Sequence, residues 1–112
     1  MAKPTLRRAP RKAPSVPDLD ALVHQRVRLG ILSALAAGGA MSFTDLKTVL
    51  DLTDGNLSVH ARKLEDAGYI AVSKSFDDRT PRTDYELTAQ GSAALTGYLD
   101  AMETLIQATR NG

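Results

Sequence analysis

Along the chain, apolar positions recur first at helical spacing, then at alternating spacing, then at helical spacing again. In the first helical stretch, Leu22, Val23, Val27, Leu29, Ile31, Leu32 and Leu35 suit a helix enclosed by others, which begins near Leu19, capped by Asp18, and ends before Gly38 and Gly39. Ser42 and Asp45 then stand at capping-box spacing, and a short helix from Phe43 to about Leu50 buries Phe43, Leu46, Val49 and Leu50. Only Asp51 and Leu52 separate it from Thr53, the N-cap of a third helix. That helix runs from about Asp54 to Ala67, and Gly68 behind it can take the left-handed conformation that ends helices.

At Tyr69 the period changes to two. Ile70, Val72 and Phe76 share one side of a strand with Lys74 in the same row, and Tyr85 and Leu87 alternate with Asp84 and Glu86 in a second strand. Between them DDRTPRT reads as a basic, turn-rich loop, so the two strands form a hairpin. Thr88 caps a last helix over residues 89–110, in which Leu95, Tyr98, Met102, Leu105 and Thr109 are spaced 3, 4, 3, 4, with Leu99 and Ile106 beside them. This spacing is that of a coiled-coil seam, which can fold back on the chain's own core or pack on a second copy; its length beyond what a small core needs favours the second copy.

The outer side of the third helix differs from an ordinary solvated surface. Leu57, Ala61 and Leu64 fall on its buried side, while Gly55, Val59, Arg62 and Asp66 lie opposite, flanked by Asn56, Ser58 and Lys63. The expected face therefore carries small, hydrogen-bonding and basic groups. His60 lies on the flank of the buried side, where a hydrogen-bonded, partly buried histidine is the expectation.

Composition narrows the classes available. With 112 residues the chain makes one domain, and with 43% hydrophobic but only 4% aromatic residues its core must be built from Leu, Val, Ile and Ala. There is no Cys, which removes disulfides, thiol redox sensing and Cys-ligated zinc; the two histidines are far apart, so neither a metal nor another cofactor is expected. No Ser-His pair stands at a recognisable spacing, and Gly38-Gly39 lacks the Lys-Ser or Lys-Thr of a phosphate-cradling loop, so an enzyme is not expected. No apolar run approaches a membrane span, and the chain reads as soluble and cytoplasmic. The net charge of +1 is unevenly divided. Residues 1–17 hold Lys3, Arg7, Arg8, Arg11 and Lys12 with no acid and four of the five prolines, and read as a disordered basic arm. Residues 18–112 hold nine basic and 13 acidic side chains, a net of −4, so any nucleic-acid surface must be a local patch.

Helix, helix, turn, helix, hairpin, helix, carried by RLGIL, LTDGNLSVHARKLEDAGYI, SKSFDDRTPRTDYELT and LTAQG, resembles the winged helix-turn-helix transcriptional regulators of the ArsR/MarR type. The resemblance covers residues 18 to 108. It implies a mainly α fold with a small β-hairpin, the wing, and a long C-terminal dimerisation helix. It also implies that the third helix enters the major groove of double-stranded DNA and that the wing, residues 74–84, follows the backbone or enters the minor groove.

The chemistry agrees with that placement: Asn56 can pair with adenine, Arg62 or Lys63 with guanine, Ser58 with base or phosphate, and Val59 can touch a thymine methyl. Gly55 lets the backbone approach, and Thr53 with the amides of the helix start can accept a phosphate. On the wing, Lys74, Arg79 and Arg82 flank Pro81, which is expected to stiffen the loop. The family pattern departs at Ala61, where a larger apolar residue is usual. The expected function is a homodimeric repressor reading an inverted-repeat operator, with a small-molecule effector possible between the first and last helices. The rival expectation, suited to the acidic balance of the folded part, is a winged helix that docks on protein.

Overall fold

The computed structural model describes residues 19–111, so the basic arm and the Asp18 cap lie outside the described residues. Among these residues four helices and three strands follow one another: α1 (Arg26–Gly38), β1 (Met41–Ser42), α2 (Phe43–Leu50), α3 (Asp54–Asp66), β2 (Ile70–Asp77), β3 (Thr80–Leu87) and α4 (Ala89–Asn111). The strands form one antiparallel sheet in the order β1-β3-β2.

The helix expected from Leu19 begins at Arg26 instead. Asp20 and Gln25 supply the reason, because their side chains offer the backbone partners that a helix would otherwise provide. The Asp20 carboxylate accepts from the amides of Leu22 at 2.9 Å and Val23 at 3.3 Å, and Gln25 accepts from the amide of Arg28 at 2.8 Å as the actual N-cap. The Arg28 guanidinium then takes the Leu22 carbonyl at 2.6 Å, which holds the preceding turn against the helix. At the other end Gly38 belongs to α1, and Gly39, with φ of 79°, ends it.

Both caps of the helix-turn-helix are as the sequence predicts. Ser42 accepts from the Asp45 amide and Thr53 from the Asn56 amide, each at 3.1 Å. Gly68, at φ 82°, provides the left-handed residue after α3. The core gathers Val23, Val27, Ile31, Leu32 and Leu35 from the first segment, Leu46 from α2, Leu57, Ala61 and Leu64 from α3, Ile70 and Tyr85 from the sheet, and Leu95 and Tyr98 from α4. Val49, expected to be buried, is 63% exposed, since Leu46 alone of α2 points fully inward.

The wing is longer and straighter than the expected hairpin with a loop of seven residues. Pairing runs without interruption from Ile70 with Leu87 to Asp77 with Thr80, and only Asp78 and Arg79 turn the chain. Both have positive φ, 56° and 82°, as a type I′ turn demands. Pro81 is therefore a strand residue opposite Phe76 and not part of a loop. It is tolerated because β1 pairs with β3 only at Asp84 and Tyr85, leaving β3 an open edge at Pro81. That short β1 is the one element absent from the expectation: two residues are too few to show a period.

The first turn of α4 is fastened to the end of α3. Thr88 donates its hydroxyl to the Gly68 carbonyl at 2.7 Å and accepts from the Gly91 amide at 2.9 Å, while its own amide donates to the Tyr69 carbonyl at 3.1 Å. Helix and turn approach so closely that a Cβ on Gly91 would lie 2.0 Å from the Tyr69 oxygen. Glycine is required there by contact, not by φ.

Candidate nucleic-acid interface

The buried side of α3 consists of Leu57, Ala61 and Leu64, which seat the helix on the core and turn the opposite side outward. Thr53, Gly55, Asn56, Ser58, Val59, Arg62 and Lys63 are all exposed, so every residue expected on this face is presented to solvent. Val59 is 54% exposed. Among the described residues, neither Arg62 nor Lys63 has a carboxylate within ion-pair distance; the ion pairs are Lys47 with Asp54, at 2.8 Å, and Arg82 with Asp84. Lys47 thus offsets the acid nearest the helix start, where a phosphate would approach. Asp66 is exposed on the same side at the far end of the helix.

His60 lies where its flank position predicts, half-buried, with Nδ1 3.0 Å from the Arg28 guanidinium. Burial first, then the charges of Arg28 and Lys63, hold its pKa below the ordinary histidine value. The neutral ring accepts from Arg28 and braces α3 on α1.

A cleft of about 260 Å³ separates α3 from the wing, with Ser58, Arg62 and Glu65 on the helix side and Val72, Lys74 and Thr83 on the strand side. Ala61 forms part of its floor, so the small residue found where a larger one is usual opens this groove and is itself 2% exposed. Phe43 and Tyr85, with ring centroids 6.4 Å apart, close its inner end. The sequence alone did not single out Glu65 or Thr83; their place in the groove depends on how the sheet meets α3.

The three basic wing residues do not form one patch. Lys74 pairs with Thr83 on the strand face toward α3, while Arg82 pairs with Ser75 on the reverse face, in the row with Asp84 and Asp77. The Arg82 Nε lies 3.1 Å from both Asp84 oxygens, so its charge is already engaged. The signal for this was present, since residues two apart in a strand share a face. Arg79 is at the turn and exposed.

A second cleft, about 430 Å³, lies between the start of α2 and the reverse side of the wing, with Asp45, Asp77 and Arg82 on its wall. A third, beside Arg26, Val27, Gly30, Leu50 and Leu52, is about 200 Å³, below the roughly 300 Å³ at which small-molecule sites begin. No group of three potential metal ligands occurs among the described residues, and no helix there is long and apolar enough to cross a membrane.

Comparison with known proteins gives this arrangement a family. The winged helix DNA-binding domain profile matches residues 27–106. An uncharacterised protein of Methanocaldococcus jannaschii is 37% identical over 73 residues, 65% of this chain and 79% of that protein. The structure of a transcriptional regulator homologue from Pyrococcus horikoshii superposes with a TM-score of 0.74 at 35% identity, covering 79% of this chain and 87% of that one. MarR shares the fold, with a TM-score of 0.66 at 20% identity over 75% of this chain and 61% of its own. The chain belongs to the winged-helix family of DNA-binding transcriptional regulators and has the MarR-like fold, four helices with a three-stranded sheet and a long C-terminal helix.

Proposed function

We propose that this regulator is a homodimeric repressor that recognises an inverted-repeat operator, with α3 in the major groove and the wing alongside. The observation that carries the reading is the outer face of α3: Asn56, Ser58, Val59, Arg62 and Lys63 are exposed together on one capped helix, and its two cations have no ion-pair partner among the described residues. Asn and Arg match adenine and guanine edges, Ser takes base or phosphate, and Val59 suits a thymine methyl. Thr53 and the free amides at the start of α3 suit a phosphate, and Gly55, whose added Cβ would meet nothing within 4 Å, leaves room for it. Lys74 and Arg79 extend the contact along the wing. Arg82 contributes only if it releases Asp84. The +5 arm of residues 1–17 adds phosphate attraction independent of sequence.

Dimerisation uses the outer stripe of α4, Leu99, Met102, Leu105, Ile106 and Thr109. Of these only Met102 packs on the chain's own core, whereas Leu95 and Tyr98 are already buried there. Two α3 helices would then meet half-sites about 34 Å apart, one turn of DNA. Occupying a promoter in this way excludes other proteins from it, which is repression by position.

The test is fluorescence-anisotropy titration of wild type and Arg62→Ala against the DNA immediately upstream of the reading frame and a scrambled duplex, at two salt concentrations. Tight binding to the upstream duplex, with a log-log salt slope of about −0.9 per phosphate contacted, and a loss of about 10- to 100-fold in Arg62→Ala, is the expected outcome. Equal weak binding to both duplexes by both proteins refutes sequence-specific recognition of that DNA.

A further inference from the structure

Phe76 packs on no core residue. It is 75% exposed, the most exposed large apolar side chain among the described residues, and the core on its strand face ends at Val72 and Tyr85, two pairs nearer the body. Its cross-strand partner is Pro81, also exposed, so an aromatic ring and a pyrrolidine form an uncovered apolar pair one step before the turn. The same strand face carries Lys74, and the turn carries Arg79; neither has an ion-pair partner among the described residues. Asp77 lies on the reverse face with Arg82 and Asp84, which leaves Asp78 of the turn as the one acid beside the pair.

An apolar tip set between two cations fits a groove with apolar base faces inside and phosphates on its rims. Reach agrees with charge. At about 3.3 Å per residue, Phe76 stands about 13 Å beyond Val72, which lines the cleft against α3. Half a turn of DNA, the step from a major groove to the next minor groove, is about 17 Å. Resting on the placement of α3 in the major groove, we propose that Phe76, backed by Pro81, is a wedge that enters the minor groove beside each half-site and partly unstacks one base step there. Flexible pyrimidine-purine steps yield most readily to such a wedge, so the wing selects sequence at a position where it makes no base hydrogen bond.

The experiment begins by selecting duplexes from a randomised pool with the full-length wild type. The best duplex is then titrated with wild type, Phe76→Ala, Phe76→Leu and Lys74→Ala. In parallel, 2-aminopurine replaces single bases along the duplex to report unstacking. Wild type is expected to brighten the probe at one step about five base pairs from the half-site centre. Phe76→Ala should bind about 10-fold more weakly, lose the brightening and lose the flanking preference, with an unchanged salt slope. Phe76→Leu should recover most of all three, and Lys74→Ala should keep the brightening while the salt slope falls by about 1. If the pool yields an operator but Phe76→Ala matches wild type in affinity and flanking preference, the wedge is refuted and the α3 reading stands. If the pool yields no enriched sequence, both fall. A Phe76→Ala protein whose self-association without DNA is weakened, by sedimentation, would assign the pair to a contact between copies instead and overturn the proposal.

Discussion

The two halves of α4 are continuous in backbone and unlike in their neighbours. In the first half, Gly91, Leu95 and Tyr98 are buried against the chain's own core, Thr88 fastens the first turn to the end of α3, and the Tyr98 hydroxyl lies 2.8 Å from His24 Nδ1. In the second half nothing is fully buried; Leu99 and Ile106 are 49% and 42% exposed, and Met102 is the last residue to touch the core. A helix of 23 residues is about 35 Å long, and its body-facing contacts use little more than half of it. The difference separates two tasks that one heptad pattern hides: residues up to Tyr98 hold the domain together, and those beyond Met102 are available to another surface.

Two glycines of α4 give the sharpest test. Gly97→Ala adds a methyl that meets nothing within 4 Å and should raise stability by up to about 1 kcal/mol, the ordinary helix gain. Gly91→Ala adds the same methyl 2.0 Å from the Tyr69 carbonyl oxygen, so the helix must lift off the α3 turn, and the expected loss is about 3 kcal/mol. The two substitutions should therefore differ by about 4 kcal/mol in urea unfolding. Equal effects would show that the first half of α4 is not seated as described. Leu95→Ala should cost about 3 kcal/mol by emptying a site that is 5% exposed.

A smaller effect distinguishes the anchoring around that first turn by pH. The Tyr69 hydroxyl donates to the Asp20 carboxylate. Burial raises the Asp20 pKa, but the hydrogen bonds from Tyr69, Leu22 and Val23 outweigh it and hold the group below the ordinary Asp value. A depressed carboxylate contributes stability above its unfolded pKa and loses it as pH falls through the folded one. The same bond to Asp20, then burial, raises the Tyr69 pKa, so its contribution is fully present below the ordinary tyrosine value and is lost as pH rises through the raised one. Tyr69→Phe should cost about 1.5 kcal/mol at neutral pH and flatten both the acid and the alkaline limbs of stability, read as Tm from pH 3 to 11. An unchanged acid limb would remove Asp20 from the account.

How much of this was legible depended on whether the deciding interaction was local. The capped α2 and α3, the outer face of α3 and the half-buried His60 follow from spacing and caps within one turn of helix. The start of α1 did not, because Asp20 and Gln25 turn the chain through side-chain bonds that periodicity does not register. The turn-rich composition of DDRTPRT predicts a long loop, whereas the strands pair up to a two-residue turn; that Pro81 sits at an unpaired strand edge is a tertiary fact. The α4 seam is the hardest, since Leu95 and Leu105 obey one spacing and only the packed domain shows that the first is already occupied.

Ile106→Glu should have the smallest effect on the stability of one chain and a decisive effect on assembly. Ile106 is 42% exposed and packs on no core residue, so the substitution removes little from the folded chain, under about 0.5 kcal/mol. In the proposed dimer the same carboxylate would be buried in the α4 seam, and desolvating a charge on both copies opposes association even with Arg110 one turn away on the same helix. Sedimentation should then show wild type as a dimer and Ile106→Glu as a monomer with nearly the same urea midpoint, measured below the wild-type dissociation concentration. Operator affinity should fall in parallel, because two half-sites no longer bind as one. A variant that stays dimeric would move the contact elsewhere and leave the outer half of α4 without its proposed task; a wild type that is already monomeric would remove the inverted repeat from the functional reading while leaving α3 and its groove intact.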